Sequence, residues 1–245
     1  MTVAADLGSA TWSQLRGGSS VVVVAPVGAT EQHGPHLPLD TDTRIATAVA
    51  RAVADRLAGE RFPGESPPRW LVAPAIAYGD SGEHQSFAGT ISIGTEALRM
   101  LLVEYARSAT CWAQRLVFVN GHGGNVTALG RAVRRLRSEG RDVGWCPCTT
   151  VGADAHAGHT ETSVVLHISP ADVLTDRWRA GNGAPLRDLL PAMRRGGVAA
   201  VTDVGVLGDP TTATAAEGQR IFAEMVEGCA RRVSRWQPGP DGMLT

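Results

Sequence analysis

A chain of 245 residues with 43% hydrophobic content is long enough to enclose one full core, and a single domain over residues 1–245 is the expectation. The formal net charge is −1, and the 23 basic residues, all arginine, form no dense block. Nucleic-acid and membrane-surface binding both need a concentrated positive field, so this balance argues against either.

The opening MTVAADLGSA lacks the positive segment of a secretory signal, and VVVVAPV at 21–27 is too short to span a bilayer. A soluble cytoplasmic protein is expected. VVVVAPV reads as a buried strand, followed by a long loop and then TRIATAVARAVADRL, where Ile45, Val49, Val53 and Leu57 make one apolar helical stripe. WLVAPAIAY at 70–78 is the next expected strand, TEALRMLLVEYARSATCWAQ at 95–114 the next helix, and RLVFV at 115–119 a third strand ending at NGHGGN. Asn125 is placed to cap a helix carrying Val126, Leu129, Val133 and Leu136. DVGWCPCTT reads as a fourth strand, Thr160 as the cap of a helix through ETSVVLHI, residues 176–209 as loops with a short helix, and 212–235 as a final helix. Strands alternating with helices predict an α/β fold with a mostly parallel sheet covered on both faces. Of four cysteines only Cys146 and Cys148 are close, in a C-x-C inside a strand, which reads as buried free thiols.

Chemistry gathers at the strand ends, where open α/β sheets place their ligand crevice. Between residues 31 and 42 the chain packs Glu31, His33, His36, Asp40 and Asp42 around Pro35 and Pro38. Glu31 and His33, two apart, project to one side of an extended chain, and with Asp42 they form a donor set suited to zinc, manganese or iron(II). The same residues read equally as caps and solvated loop groups. In NGHGGN the glycines after His122 let the backbone turn and approach a ligand, a metal or, at odds with the spacing of known phosphate loops, an anion. HAGHTETS brings His156 and places Glu161 in the first turn of a helix, where the dipole favours a carboxylate; a capped helix start with an incidental histidine pair fits it as well. Taken together, Glu31, His33, Asp42, His122 and Glu161 are enough for two metal ions if one carboxylate bridges, and such a pair does hydrolytic chemistry.

GATEQHGPHLPLDTDT, EHQSFAGTIS, NGHGGN and HAGHTETS, in that order, resemble the creatininase family of metal-dependent amidohydrolases over about residues 8–235. The resemblance implies a three-layer α/β/α sandwich. It implies two divalent ions (Zn, Fe or Mn), one held by Glu31, Asp42 and His122 and the other by His33, Asp42 and Glu161. It further implies that His156 transfers a proton near the scissile amide, and that the chain forms a homo-oligomer, often a hexamer in this family.

Creatinine hydrolases carry a Glu where this chain has Gly124, and a tryptophan where it has VGAD at 151–154, so creatinine is a poor fit. His159 also stands where the family frequently has Glu. LGSATWSQL and GVLGDPTTATAAEGQ are most similar to a branch that cleaves a modified precursor peptide near its C-terminus, releasing a Val-Tyr-derived fragment. A small-amide or formamide hydrolase, a non-catalytic metal-binding scaffold and a phosphosugar- or nucleotide-binding enzyme are the competing readings. His36 and Glu83 are expected to hold loops, His84 to enter the site from the side, and His167 to pack on its helix.

Overall fold

The computed structural model describes residues 4–16, 20–60 and 67–245; the first three residues of MTVAADLGSA lie outside them. Five strands, β1 (Ala5–Asp6), β2 (Val21–Val27), β3 (Arg69–Val72), β4 (Arg115–Asn120) and β5 (Val143–Pro147), form one sheet in the order β1-β3-β2-β4-β5. Every pairing is parallel.

The helices are α1 (Trp12–Leu15), α2 (Thr41–Leu57), α3 (Gly94–Ala109), α4 (Val126–Ser138), α5 (His159–Ile168), α6 (Leu186–Gly196) and α7 (Ala215–Arg235). All seven residues of β2 are buried, and their side chains alternate between two cores. Val22 and Val24 share one core with α2, α5 and α7, whereas Val21, Val23, Ala25 and Val27 share the other with α3 and α4. That alternation makes the three-layer sandwich. A strand buried on both faces needs unbroken apolar sequence, which is why VVVVAPV carries no polar residue.

Several boundaries differ from expectation. The strand expected at 70–78 leaves the ladder after Val72. Pro74 has no N–H to offer, and pairing resumes only at Ile76, whose N–H bonds to the Pro26 carbonyl. The helix expected at 95–114 stops at Ala109, and the one expected from 212 starts at Ala215, because Thr214 caps it by accepting from the Glu217 N–H. β1 is too short and too polar to read from sequence. The C-terminal tail returns to β5, with Trp145 N–H bonded to the Gly242 carbonyl and Leu244 N–H to the Trp145 carbonyl, so this sheet edge is covered.

Two expected caps do not cap. Asn125 has helical backbone angles, and its side chain joins three segments: Nδ2 donates to the Gly28 carbonyl and to Asn120 Oδ1, and Oδ1 accepts from the Asp80 N–H. Thr160 lies inside α5; its N–H and that of His159 are taken by the carboxylate of Asp154, six residues upstream, which does the capping. Cys146 and Cys229 are buried and Cys148 half-buried, all as free thiols, whereas Cys111 is exposed on the turn after α3. No helix among the described residues is long and apolar enough to cross a membrane.

Candidate metal centre

The strand order reverses at β2, since β3 lies on one side of it and β4 on the other, and the crevice outside such a reversal is where α/β folds bind ligands. The loop after β2 carries Glu31 and His33, the turn after β4 carries His122, and the segment after β5 carries His156 and Glu161. Asp42 is not on the loop, as its place after Pro38 suggested, but in the first turn of α2, where the helix dipole favours a carboxylate. Gly121 lets the end of β4 come close to α2: a Cβ there would lie 2.4 Å from the Asp42 carbonyl oxygen.

The structure brings all five expected ligands together, with His156 and His84 beside them. Two sets, Glu31 with Asp42 and His122, and His33 with Asp42 and Glu161, each converge closely enough to hold one cation, and they share Asp42. Asp42 Oδ1 lies 3.1 Å from His33 Nε2 and Oδ2 lies 3.2 Å from His122 Nδ1. Glu31 Oε2 lies 3.2 Å from His122 Nε2, and Glu161 Oε2 lies 3.8 Å from His33 Nε2. Glu31, His33 and His156 form a third convergent group.

The fit to cations rests on buried carboxylate oxygens that no hydrogen bond satisfies among the described residues. Both carboxylate oxygens of Glu31 and Oδ2 of Asp42 are fully buried and make no hydrogen bond, although imidazole nitrogens stand within about 3.3 Å of them, off hydrogen-bonding geometry. Buried carboxylate oxygens left without hydrogen bonds are costly, and a divalent ion would satisfy them.

Hydrogen bonds to carbonyls, which only accept, assign the tautomers. His33 Nδ1–H donates to the Glu31 carbonyl at 3.1 Å, leaving Nε2 to face Asp42. His122 Nε2–H donates to the Asp80 carbonyl at 2.9 Å, leaving Nδ1 to face Asp42. Such second partners orient ligating imidazoles in metal sites.

Gln32, which the sequence reading passed over, organises the other two histidines. His156 Nε2–H donates to the Gln32 backbone carbonyl at 2.9 Å, so its Nδ1 lone pair points inward, 3.8 Å from Glu31 Oε1. The two amide hydrogens of Gln32 go to His84 Nδ1 at 2.8 Å and the Gly205 carbonyl at 3.0 Å. His84 therefore presents Nε2–H toward Glu31 Oε1 at 3.3 Å. The His156 ring lies 4.4 Å from His33 and 4.3 Å from His84, centroid to centroid. Ala157, beside His156, holds a left-handed φ of 51°, and its N–H bonds to Glu161 Oε2 at 2.6 Å. This strained turn brings His156 and Glu161, five residues apart, to one pocket.

The remaining polar residues sit around this centre. His36 Nε2 is 2.8 Å from Thr162 Oγ1, tying the histidine loop to α5. His159 Nδ1 is 2.9 Å from Thr212 Oγ1, outside the ligand cluster, and the exposed His167 ring packs on Phe222. Glu83 Oε1 stands 3.9 Å from His122 Nε2. Neither glycine after His122 has a positive φ, so backbone freedom is not their reason; a Cβ at Gly124 would lie 2.1 Å from the Asp80 carbonyl oxygen.

Charge in this pocket is strongly perturbed. Burial works against a charged His33, yet Asp42, Glu161 and Glu31 outweigh it and carry the imidazole up to about 10; His122 rises to about 10 for the same reason. Burial raises Glu31 and Glu161, helped by the negative Asp42. Asp42 itself is held well below the carboxylate range by His33 and His122, against burial. Burial and the positive His33 lower both His84, to about 3, and His156. The raised groups hold protons near neutral pH that a cation must displace, so metal affinity is expected to rise with pH. The change is about tenfold per pH unit for each proton released. Calorimetric titration with Zn²⁺ or Mn²⁺ in buffers of different ionisation enthalpy checks this; a heat independent of buffer would contradict it.

Comparison with known proteins identifies the family. The family model described as "Creatininase: Creatinine amidohydrolase" matches residues 8–233. A mycofactocin precursor peptide peptidase from Mycobacterium tuberculosis is 74% identical over 243 residues, covering 99% of this chain and 96% of the relative. A creatinine amidohydrolase from Pseudomonas putida is 29% identical over 268 residues, covering 94% of this chain and 96% of the relative. A solved structure described as "Creatininase Mn" superposes with a TM-score of 0.75 at 27% identity, covering 96% of this chain and 100% of that one.

Proposed function

The chain belongs to the creatininase family, and on that premise we propose that it is a dinuclear metal-dependent peptidase, one domain spanning residues 1–245. Its substrate is a modified precursor peptide, cut at an amide bond near the C-terminus to release a Val-Tyr-derived fragment. The observation that carries the reading is the pair of ligand sets sharing Asp42, lined by buried carboxylate oxygens that lack hydrogen bonds.

Glu31, Asp42 and His122 hold one ion, and His33, Asp42 and Glu161 the other; zinc, iron and manganese all suit this donor set. Divalent cations supply Lewis-acid polarisation of the amide carbonyl and acidify water. His156 does the proton work. Its neutral Nδ1 takes a proton from the attacking water and gives it to the departing amine, while Nε2–H stays on the Gln32 carbonyl and fixes the ring. His84 Nε2 stands 3.3 Å from Glu31 Oε1, beside that ligand and off hydrogen-bonding geometry. A scaffold that had abandoned catalysis would be free to lose a ligand, and this chain keeps all five.

Peptide is favoured over creatinine by Gly124. Creatinine hydrolases are expected to carry a carboxylate there, and here the backbone lies too close to the Asp80 carbonyl for any side chain. Elemental analysis of the purified protein, run beside mass-spectrometric assay of a peptide ending in Val-Tyr and of creatinine, tests the proposal. About two transition-metal ions per chain and release of the terminal dipeptide are expected, with little turnover of creatinine. Creatinine turnover without peptide cleavage would move the assignment to the small-amide branch.

A further inference from the structure

We infer that Cys148 and Cys229 form an oxidation site, at which peroxide converts the two thiols into a disulfide that ties α7 to the end of β5. The inference lies outside the peptidase reading and stands or falls independently of it.

The fold gathers three of the four cysteines around one residue, Pro147. Cys146 and Cys148 stand two apart on an extended chain, because the Cys148 N–H bonds to the Asn120 carbonyl at 2.8 Å and continues the pairing of β5 with β4. Side chains two apart on such a chain project to the same side, here into the core shared with α2, α5 and α7. Cys229 meets them from α7, with its Sγ 3.4 Å from the carbonyl oxygen of Pro147, the residue between them. The chain that follows Cys148 is tied to α7 as well, by Thr150 Oγ1–H donating to Glu224, and it leads on to His156 and Glu161.

Thiols placed in this way divide their roles. Cys229 is held well below the ordinary thiol value by hydrogen bonds from Cys146 and Cys148, whereas Cys148 is held well above it by Cys229 and by burial. Cys229 therefore supplies the thiolate, the form that reacts with peroxide. It attacks hydrogen peroxide, takes one oxygen as a sulfenic acid and releases hydroxide. The Cys148 sulfur then attacks the Cys229 sulfur: the S–S bond forms, the S–O bond breaks, and the oxygen leaves as water with the Cys148 proton. Cys148 is the partner, not Cys146, for a reason of position. Cys146 is fully buried and fixed in the ladder opposite Val119, whereas Cys148 is half-buried and begins the segment that reaches the fully exposed Val151. That segment gives peroxide its way in, and it leaves Cys148 free to close to the S–S distance of about 2 Å.

The test treats zinc-loaded protein with hydrogen peroxide in a Cys111→Ser background, which removes the exposed thiol. Intact mass, a non-reducing peptide map and melting temperature are read before and after. The chain is expected to lose about 2 Da, to regain it with dithiothreitol, and to yield a cross-linked peptide pair that contains Cys148 and Cys229. Because the bridge closes a long loop, the melting temperature should rise by at least about 4 °C. Cys146→Ser should keep the bridge, and Cys148→Ser and Cys229→Ser should each lose it. Should the Cys229 variant fail to fold, Cys148→Ala, at the half-buried position, decides the same question. A bridge that survives removal of Cys148 would assign the partner to Cys146 and overturn the pairing. Thiols that stay reduced, or that gain oxygen as sulfinic acid without bridging, would overturn the site.

Discussion

Asp42→Ala is expected to abolish metal retention and turnover together. No other carboxylate belongs to both ligand sets, and its two oxygens face His33 Nε2 and His122 Nδ1 at 3.1 and 3.2 Å, so one truncation dismantles both positions. Metal content should fall from about two ions per chain to less than one, and kcat/KM by at least about a thousandfold, the order that metal-ion catalysis supplies. The fold should survive. In the metal-free pocket Asp42 is a chief reason that His33 and His122 hold charge, so its removal lets both imidazoles become neutral instead of leaving two buried cations unpaired. Asp42→Asn keeps the side-chain volume and loses the charge, and it separates coordination from packing: it should match Asp42→Ala in metal content and exceed it, if anything, in melting temperature. A metal-free Asp42→Ala protein with full activity would sink the dinuclear mechanism.

The layers of the fold were legible because buried parallel strands must be apolar throughout and amphipathic helices must repeat. The runs at 21–27 and 116–119 and the stripe Ile45, Val49, Val53 and Leu57 carry those periods openly, and the structure buries all of them. What the sequence hid depends on partners far along the chain. Asp154 caps α5 from six residues upstream and Asn125 bonds to Gly28, 97 residues away, so neither follows the local pattern of a capping residue.

The candidate site divides in the same way. Ligand types and spacing announced Glu31, His33, Asp42, His122, Glu161 and His156, because metal chemistry demands particular side chains. Gln32 gave no such signal: an amide between two ligands becomes informative only once His84 and His156 arrive from loops 52 and 124 residues away. The role of Gly124 was legible as a departure from a resembling family, but its cause, a carbonyl 2.1 Å from where Cβ would stand, belongs to three dimensions alone.

His156→Ala separates proton transfer from metal binding, and it is needed because His156 also converges with Glu31 and His33 in a third possible ligand group. If Nδ1 carries protons, the variant should keep about two metal ions and near-normal KM while kcat falls roughly 10²- to 10⁴-fold, the usual contribution of a positioned acid–base group. If Nδ1 is a ligand, metal content should fall with the rate, and that result would overturn the assignment. The pH profile gives a second reading. A base must be neutral to accept the first proton, and burial, joined in the metal-free pocket by the positive His33, pushes His156 below the ordinary histidine value. Activity should therefore persist below the pH at which an exposed histidine protonates, fall only further into acid, and fall because His156 charges. In His156→Ala that limb should vanish from the residual rate, leaving whatever acid loss comes from protons competing for the metal ligands. The two contributions are told apart by repeating the profile at saturating metal, which suppresses the competition and leaves the titration of His156 in place.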